Sequence, residues 1–480
     1  MASTTLRVLT LQSLQAAGSQ LSIRYSYGKH RFSLSYWYDF DLEPLDGIYG
    51  SDFMEKVYTH CAAFSIFHLC SLKPDLLDWG PYSRWHTAEF ERVWNSTWSG
   101  LSGQWRYEND LPDISAPAFI SKPSSATNTI TIESQSPPTT LAFFGGGKDS
   151  LAMYELLSRT GIPFSCVSYS HSVYGRSVVQ HRLCDKVLKL LNSESCKHHH
   201  KLCIMEDFLD SPVLESIGKR VGIESFMEGE TPASLFSSLP IVLYYRYTSI
   251  AIGNERSSNT GNLVWEHTGE DINHQWGKSR EAEILFSEYI QRALISNAPY
   301  FSVLQPLYDA VIFSVAASRL EAAIFTHSCN FVKPWCKRCP KCCYVWLMFM
   351  TFFPCNVVDE MFQGANLLDI PQNEIHFVQM LGLGSNKPFE CVGDIDEAKL
   401  GFELCRRKGL QGKAMDIYKE KLLQAMDEKA LANLFSKYTT VYTSDPSNAP
   451  PAVWDRLFPI LKQAAVDARK RIEAELSRIY

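Results

Sequence analysis

The apolar run Leu141-Ala142-Phe143-Phe144 passes directly into Gly145-Gly146-Gly147-Lys148-Asp149-Ser150, and helix-compatible residues, Leu151-Ala152-Met153-Tyr154-Glu155-Leu156-Leu157, follow at once. Four apolar residues suit a buried strand, and a triple glycine allows a tight turn before a helix opens. Strand, glycine turn and helix in that order begin a βαβ unit, which commits this stretch to an α/β sheet. The same turn is an anion cradle, because glycines admit a phosphate close to the backbone while unpaired amides and the positive end of the helix dipole face it. It is not a Walker loop, which needs four residues between its first glycine and the Gly-Lys-Ser/Thr end.

Apolar runs at 164–169, 202–205, 249–253 and 323–326 alternate with helix-like segments, so the pattern predicts a doubly wound parallel sheet within a catalytic domain at 139–354. Ligands of such sheets sit beyond the carboxyl ends of the strands. Residues 1–115 read as an aromatic-rich α+β accessory domain. Leu21, Ile23, Tyr25 and Tyr27 alternate, then Phe32, Leu34, Tyr36, Tyr38, Phe40 and Leu42, as a hairpin turning at Gly28-Lys29-His30, and Trp79, Trp85, Trp94, Trp98 and Trp105 follow. Residues 116–138, dense in Ser, Thr and Pro, form a linker. Residues 355–480 read as a mainly helical region, ending in a stripe of Trp454, Leu457, Leu461, Ala464, Ala465, Ala468, Ile472 and Leu476 that packs on the rest of the protein.

A chain of 480 residues has room for two to four domains, and 45% hydrophobic with 20% charged residues excludes disorder of the whole. A net charge of −6 argues against a nucleic-acid surface and for a small-molecule substrate. The longest apolar stretch, 342–354, is far short of the roughly 20 residues that span a bilayer, and reads as a buried helix. Fourteen cysteines without a secretory signal suit reduced thiols in the cytoplasm. The first 38 residues lack Asp and Glu and carry Arg7, Arg24, Lys29 and Arg31, mildly like a transit peptide, which keeps an organelle stroma or matrix as the alternative. The hairpin leaves only the residues ahead of it for targeting.

Cys329, Cys336, Cys339 and Cys342 form a C-x6-C-x2-C-x2-C array that can close a tetrahedral shell, hence a structural Zn²⁺ rather than a catalytic one. The remaining cysteines, Cys391 among them, are scattered and read as core or surface thiols, and His198-His199-His200 as a solvated loop before the strand at 202–205. Two polar blocks, Asn254-Glu255-Arg256-Ser257-Ser258-Asn259-Thr260-Gly261-Asn262 and Ile272-Asn273-His274-Gln275-Trp276-Gly277-Lys278-Ser279, lie at the ligand end of the sheet. They place Glu255, Arg256, His274 and Lys278 as donors and bases near bound phosphates, with Asn254 beside them.

The glycine loop resembles the pyrophosphate (PP) loop of the ATP pyrophosphatases, usually Ser-Gly-Gly-x-Asp-Ser, with Gly145 in place of the serine. Those enzymes act at the α-phosphate of ATP. The combination GGGKDS, NERSSNTGN, INHQWGKS and CNFVKPWCKRCPKC, spanning residues 140–350, resembles the MurL family of ATP-dependent UDP-N-acetylmuramoyl-L-alanyl-L-glutamate epimerases. That resemblance implies a PP-loop, HUP-like fold and inversion of the terminal L-Glu of a nucleotide-linked muramoyl dipeptide, or a related carboxylate, with ATP split to AMP and diphosphate. It implies ATP held by Gly145, Gly146, Gly147, Lys148, Asp149, Ser150, Asn254 and Arg256, Mg²⁺ held partly by Asp149, and Lys148, Asp149, Glu255, His274 and Lys278 as the catalytic set, His274 and Lys278 moving the proton. The cysteine array is also similar to the zinc site of 7-cyano-7-deazaguanine synthases, so an adenylating amide- or nitrile-forming enzyme is the alternative. A non-catalytic nucleotide-binding protein is the third.

Overall fold

The structure, a computed structural model, describes residues 6–133, 139–216, 226–443 and 447–477. Its strands are β1 (Val8–Ala17), β2 (Gln20–Tyr27), β3 (His30–Trp37), β4 (Leu76–Asp78), β5 (Ala118–Phe119), β6 (Thr140–Phe143), β7 (Phe164–His171), β8 (Cys196–Glu206), β9 (Ser249–Ile252), β10 (Leu263–Trp265), β11 (Glu270–Ile272) and β12 (Tyr300–Ser302). Ten of them make one sheet in the order β12-β9-β6-β7-β8-β3-β2-β1-β4-β5, while β10 and β11 form a separate ribbon.

From β12 to β8 every pairing is parallel, and in chain order these five strands run 3-2-1-4-5. The winding therefore reverses between β6 and β9, where an open α/β sheet forms its ligand crevice. Both faces of this half are covered, and the two-residue period of a strand sorts its side chains between them. Ala142, Phe144, Cys166, Ala251 and Phe301 join one core, with the helices Lys148–Arg159, Asp309–Ala316, Pro340–Phe352 and Pro451–Leu476. Leu141, Phe143, Val167, Ile250 and Tyr300 join the other, with the helices Ser51–Ala63, Ala88–Glu108 and Arg280–Ala293.

The expected hairpin is β2 and β3, in register from Gln20 opposite Trp37 to Tyr27 opposite His30. β3 then pairs antiparallel with β8, so the aromatic N-terminal strands extend the same sheet. β1 lies between β2 and β4, which puts residues 8–17 inside that sheet. Of the tryptophans, Trp94, Trp98 and Trp105 are buried along the helix Ala88–Glu108, capped by Thr87, whose side chain accepts from the Phe90 amide. Within 116–133, Ala118–Phe119 pairs with β4 and Ile130 bridges Ile295; residues 134–138 lie outside the described residues.

Two local expectations are corrected. Residues 323–326 are not a strand: they take in the end of the helix Leu320–Ala323 and the turn after it, and the fifth parallel strand is β12. Four apolar residues carry no periodicity that separates helix from strand, and three strand residues are fewer still. Residues 198–200 are not a loop but part of β8, with His199 opposite Cys166 and His200 opposite Val167. Pairing with the long β7 sustains the strand, while His200 bonds Tyr247 at 2.7 Å and Asp39 at 3.1 Å. The helix expected over 342–354 is Pro340–Phe352, buried on all sides from Cys342 onward.

Candidate functional site

β6 ends at Phe143, and the chain turns over residues 145–147 before the helix Lys148–Arg159. No side chain caps that helix, so its first-turn amides remain available to an anion. The Gly145 amide donates to Ser150 Oγ at 2.9 Å, which ties the loop back on itself. Glycine is required at Gly146 and closely packed at Gly147. Gly146 has φ +80°, and a Cβ there would stand 2.3 Å from His327 Cε1, while a Cβ at Gly147 would stand 2.9 Å from Ser328 Oγ. The segment just before Cys329 thus packs against the loop, which its short polar sequence did not announce.

Beyond the loop lies a cavity of about 620 Å³. Gly145, Gly147, Asp149 and Ser150 line it from β6, Asn254 from β9, His274, Gln275, Gly277 and Lys278 from the second polar block, and Lys333, Lys341 and Cys391 from later chain. A second cavity of about 410 Å³ adjoins it, sharing His171, Tyr174, Glu228, Glu230 and His274 and reaching Trp105, Met227 and Phe389. Asn254 is buried, and its Nδ2 has no hydrogen-bond partner among the described residues, a donor left for a ligand.

Three residues expected at the phosphates are placed outside the cavity wall. Lys148 is turned beneath the loop, its Nζ 2.5 Å from Asp149 Oδ1 and 2.6 Å from Asp309 Oδ1, with Tyr344 donating to Asp309 Oδ2 at 3.1 Å. Two carboxylates in the interior need a cation there. Glu255 is buried in the same charged cluster; burial would raise its pKa, but the Lys148 and Lys278 ammoniums outweigh that and hold it below its ordinary value. Arg256 stacks on Tyr442, 4.1 Å from the ring centre, and near Tyr308. Burial pushes Asp309 up to about 6, against the pull of Lys148.

The opposite character marks the wall of His274 and Lys278. His274 Nδ1 meets Gln104 at 2.5 Å and its Nε2 lies 3.7 Å from Glu228. Burial opposes its charge, yet Glu228 and Cys391 push its pKa up to about 9. Lys278 Nζ donates to Cys391 Sγ at 2.9 Å, and burial is again outweighed, by Cys391 and Glu255, so the ammonium is held. Across the cavity lining, His171 Nδ1 lies 2.7 Å from Glu230, and its Nε2 lies 3.7 Å from Glu206.

Cys329, Cys336, Cys339 and Cys342 come together as expected, with Sγ separations of 4.0 Å for Cys329 and Cys339 and 3.7 Å for Cys336 and Cys342. Tetrahedral thiolates at about 2.3 Å from an ion stand about 3.8 Å apart, so the cage has the size of a metal site. Its loop carries Asn330 and Lys333 to the cavity, and the helix that follows carries Lys341.

Residues 323–434 match the family model of the MurL C-terminal domain, and residues 224–303 that of the MurL N-terminal domain. Both MurL domain models thus match this chain. Both matched segments contribute to the cavity, Glu228, His274 and Lys278 from one and His327, Lys341 and Cys391 from the other. Similar curated proteins, each named UDP-N-acetyl-alpha-D-muramoyl-L-alanyl-L-glutamate epimerase, come from a Micromonospora species (30% identity, 55% of this chain and 56% of the relative), Salinispora tropica (29%, 55% and 55%) and Xanthomonas oryzae pv. oryzae (26%, 66% and 67%). The chain thus spans little more than half the length of the first two relatives it matches. No solved structure matches it. The MurL segment ending at residue 434 also takes in most of the helical region that the four motifs left unassigned.

Proposed function

We propose that this chain is an ATP-dependent epimerase of the MurL family that inverts the terminal L-Glu of UDP-N-acetylmuramoyl-L-alanyl-L-glutamate through an acyl adenylate, releasing AMP and diphosphate. One observation carries the reading: a glycine loop at a helix N-terminus and a cationic wall of Lys278, Lys341 and His274 line one cavity at the point where the sheet reverses. The names of the relatives supply the substrate class.

The chemistry requires both halves. A free carboxylate keeps its α-proton because removing it builds a dianion, whereas an acyl adenylate is neutral at the acyl group and far more acidic. In this reading the glycine loop of a PP-loop fold, with Ser150 and Asn254, binds the phosphates of ATP. Asp149 faces the cavity and is the residue that would hold Mg²⁺, which neutralises the departing diphosphate. Lys148 fixes Asp149 from below. The four cysteines hold a structural Zn²⁺ that shapes the loop of Asn330 and Lys333. The adjoining cavity, lined by Trp105, Met227 and Phe389, gives the rest of the nucleotide-linked substrate a place to lie.

The test incubates the purified chain with ATP, Mg²⁺ and the dipeptide nucleotide, then hydrolyses the product for chiral analysis. AMP, diphosphate and D-Glu are expected. Formation of ADP refutes the α-phosphate chemistry, and an L-configured amide identifies an adenylating amide-forming enzyme instead.

A further inference from the structure

We propose that Cys391 is the catalytic base that removes the glutamate α-proton, and that Lys278, Lys341 and His274 are positioning residues around its sulfur. The inference rests on the epimerase reading of the same cavity.

His274 and Lys278 are both held protonated near neutral pH by the carboxylates and the sulfur around them, so each can give a proton and neither can take one. Lys341 lines the same cavity and reaches Asn330 Oδ1 at 3.4 Å. Asp149 is engaged by Lys148, and Glu230 by His171. Cys391 is the one thiol lining the cavity among the described residues, and it is reachable from that side.

Its surroundings suit an ionised sulfur. Lys278 Nζ lies 2.9 Å away, and a ring nitrogen of His274, Cys391 Sγ and a Glu390 oxygen all lie within 4.8 Å of one another. Burial works against the thiolate, but Lys278, Lys341 and the hydrogen bond with His274 outweigh it and hold Cys391 below the ordinary thiol range. Glu390, which accepts from the Cys391 amide at 2.7 Å and from Asn330 at 3.1 Å, opposes them from the same loop, and Glu228, Glu255 and Asp149 act on the cations rather than on the sulfur. The Lys278 ammonium at the sulfur disfavours a metal ion there. The site is also built for a ligand: Asn254 Nδ2 is buried in the same cavity and has no hydrogen-bond partner among the described residues.

The step balances. The Cα–H bond breaks and an S–H bond forms, while the electron pair moves into the activated acyl group as an enolate. A solvent-derived proton adds to the other face of Cα, and the Cys391 thiol returns its proton to solvent.

The test follows three readouts in Cys391→Ala and Cys391→Ser with the dipeptide nucleotide: ATP–diphosphate exchange, α-deuterium uptake in D₂O, and product chirality. A base of this kind contributes about 10²- to 10⁴-fold. Deuterium uptake should fall at least that far while ATP–diphosphate exchange stays near the wild-type level. Uptake persisting in either variant overturns the inference and leaves the epimerase reading standing; a wild-type chain that never exchanges the α-proton overturns both. Should the variants misfold, the wild-type protein decides: Cys391 alkylation by iodoacetamide, followed by mass spectrometry across pH, should show a midpoint below that of an ordinary thiol, moving upward in Lys278→Met. An ordinary midpoint, unmoved by that substitution, overturns the inference.

Discussion

Replacing Lys148 by Met separates a lysine that binds phosphate from one that neutralises the interior. In the structure its ammonium is 2.6 Å from Asp309 and 2.5 Å from Asp149, and the Asp309 side chain is only 1% exposed. Removing one partner of a buried pair costs about 3–5 kcal/mol, because the remaining carboxylate is left uncompensated. Asp309 can escape by taking a proton. Its folded pKa, already up to about 6, then lies still higher above its ordinary 3.8, so the stability that escape preserves is complete below pH 3.8 and lost as pH rises through the folded value. The deficit of Lys148→Met should therefore be largest at pH 7 and shrink toward pH 5. In urea the midpoint at pH 7 should fall by about 1 M, taking an unfolding slope of about 3 kcal/mol/M or somewhat more for a chain of this size. Lys148→Met/Asp309→Asn should recover most of the loss, since the fully buried carboxylate is gone and Asp149, 30% exposed, can meet solvent. An unshifted midpoint with abolished diphosphate release would refute the reasoning and make Lys148 a phosphate ligand.

Gly146→Ala must adopt a left-handed backbone and meets His327 at 2.3 Å, so it should cost about 2–4 kcal/mol and weaken ATP binding at least tenfold by calorimetry. One zinc per chain is expected by elemental analysis, and Cys339→Ser should lose it together with thermal stability, since metal binding and folding are coupled at such sites. At His171 burial opposes the imidazolium, but Glu230 and Glu206 outweigh it and push the pKa up to about 10 from 6.5. That stabilisation, on the order of a few kcal/mol, is complete below pH 6.5 and lost as pH rises toward 10. Thermal unfolding of His171→Asn should accordingly trail the wild type most at pH 6 and converge with it near pH 10.

Local order along the chain determined much of this protein. The strand, glycine turn and helix at residues 141–157, the hairpin of β2 and β3, the buried helix Pro340–Phe352, the C-terminal amphipathic helix and the cysteine array all express short-range rules of spacing and sterics, and each is legible without a partner. Short-range rules fail where a neighbour supplies the reason. Three residues become β12 only because β9 lies alongside, and the polar residues 198–200 are strand only because β7 is long enough to pair with them. The site shows the same division. The glycine loop and the cavity position of Asn254 follow from their places beyond the ends of β6 and β9, but His274 and Lys278 reach the cavity from beyond the separate ribbon of β10 and β11, and Lys148 turns inward because Asp309, 161 residues on, is buried beneath it. Cys391, one scattered thiol among fourteen in the sequence, acquires its cationic surroundings from Lys278 and Lys341, brought together by chain that no local pattern links. Charge acts through space rather than along the chain, so the chemistry of such a residue is decided only when the fold closes around it.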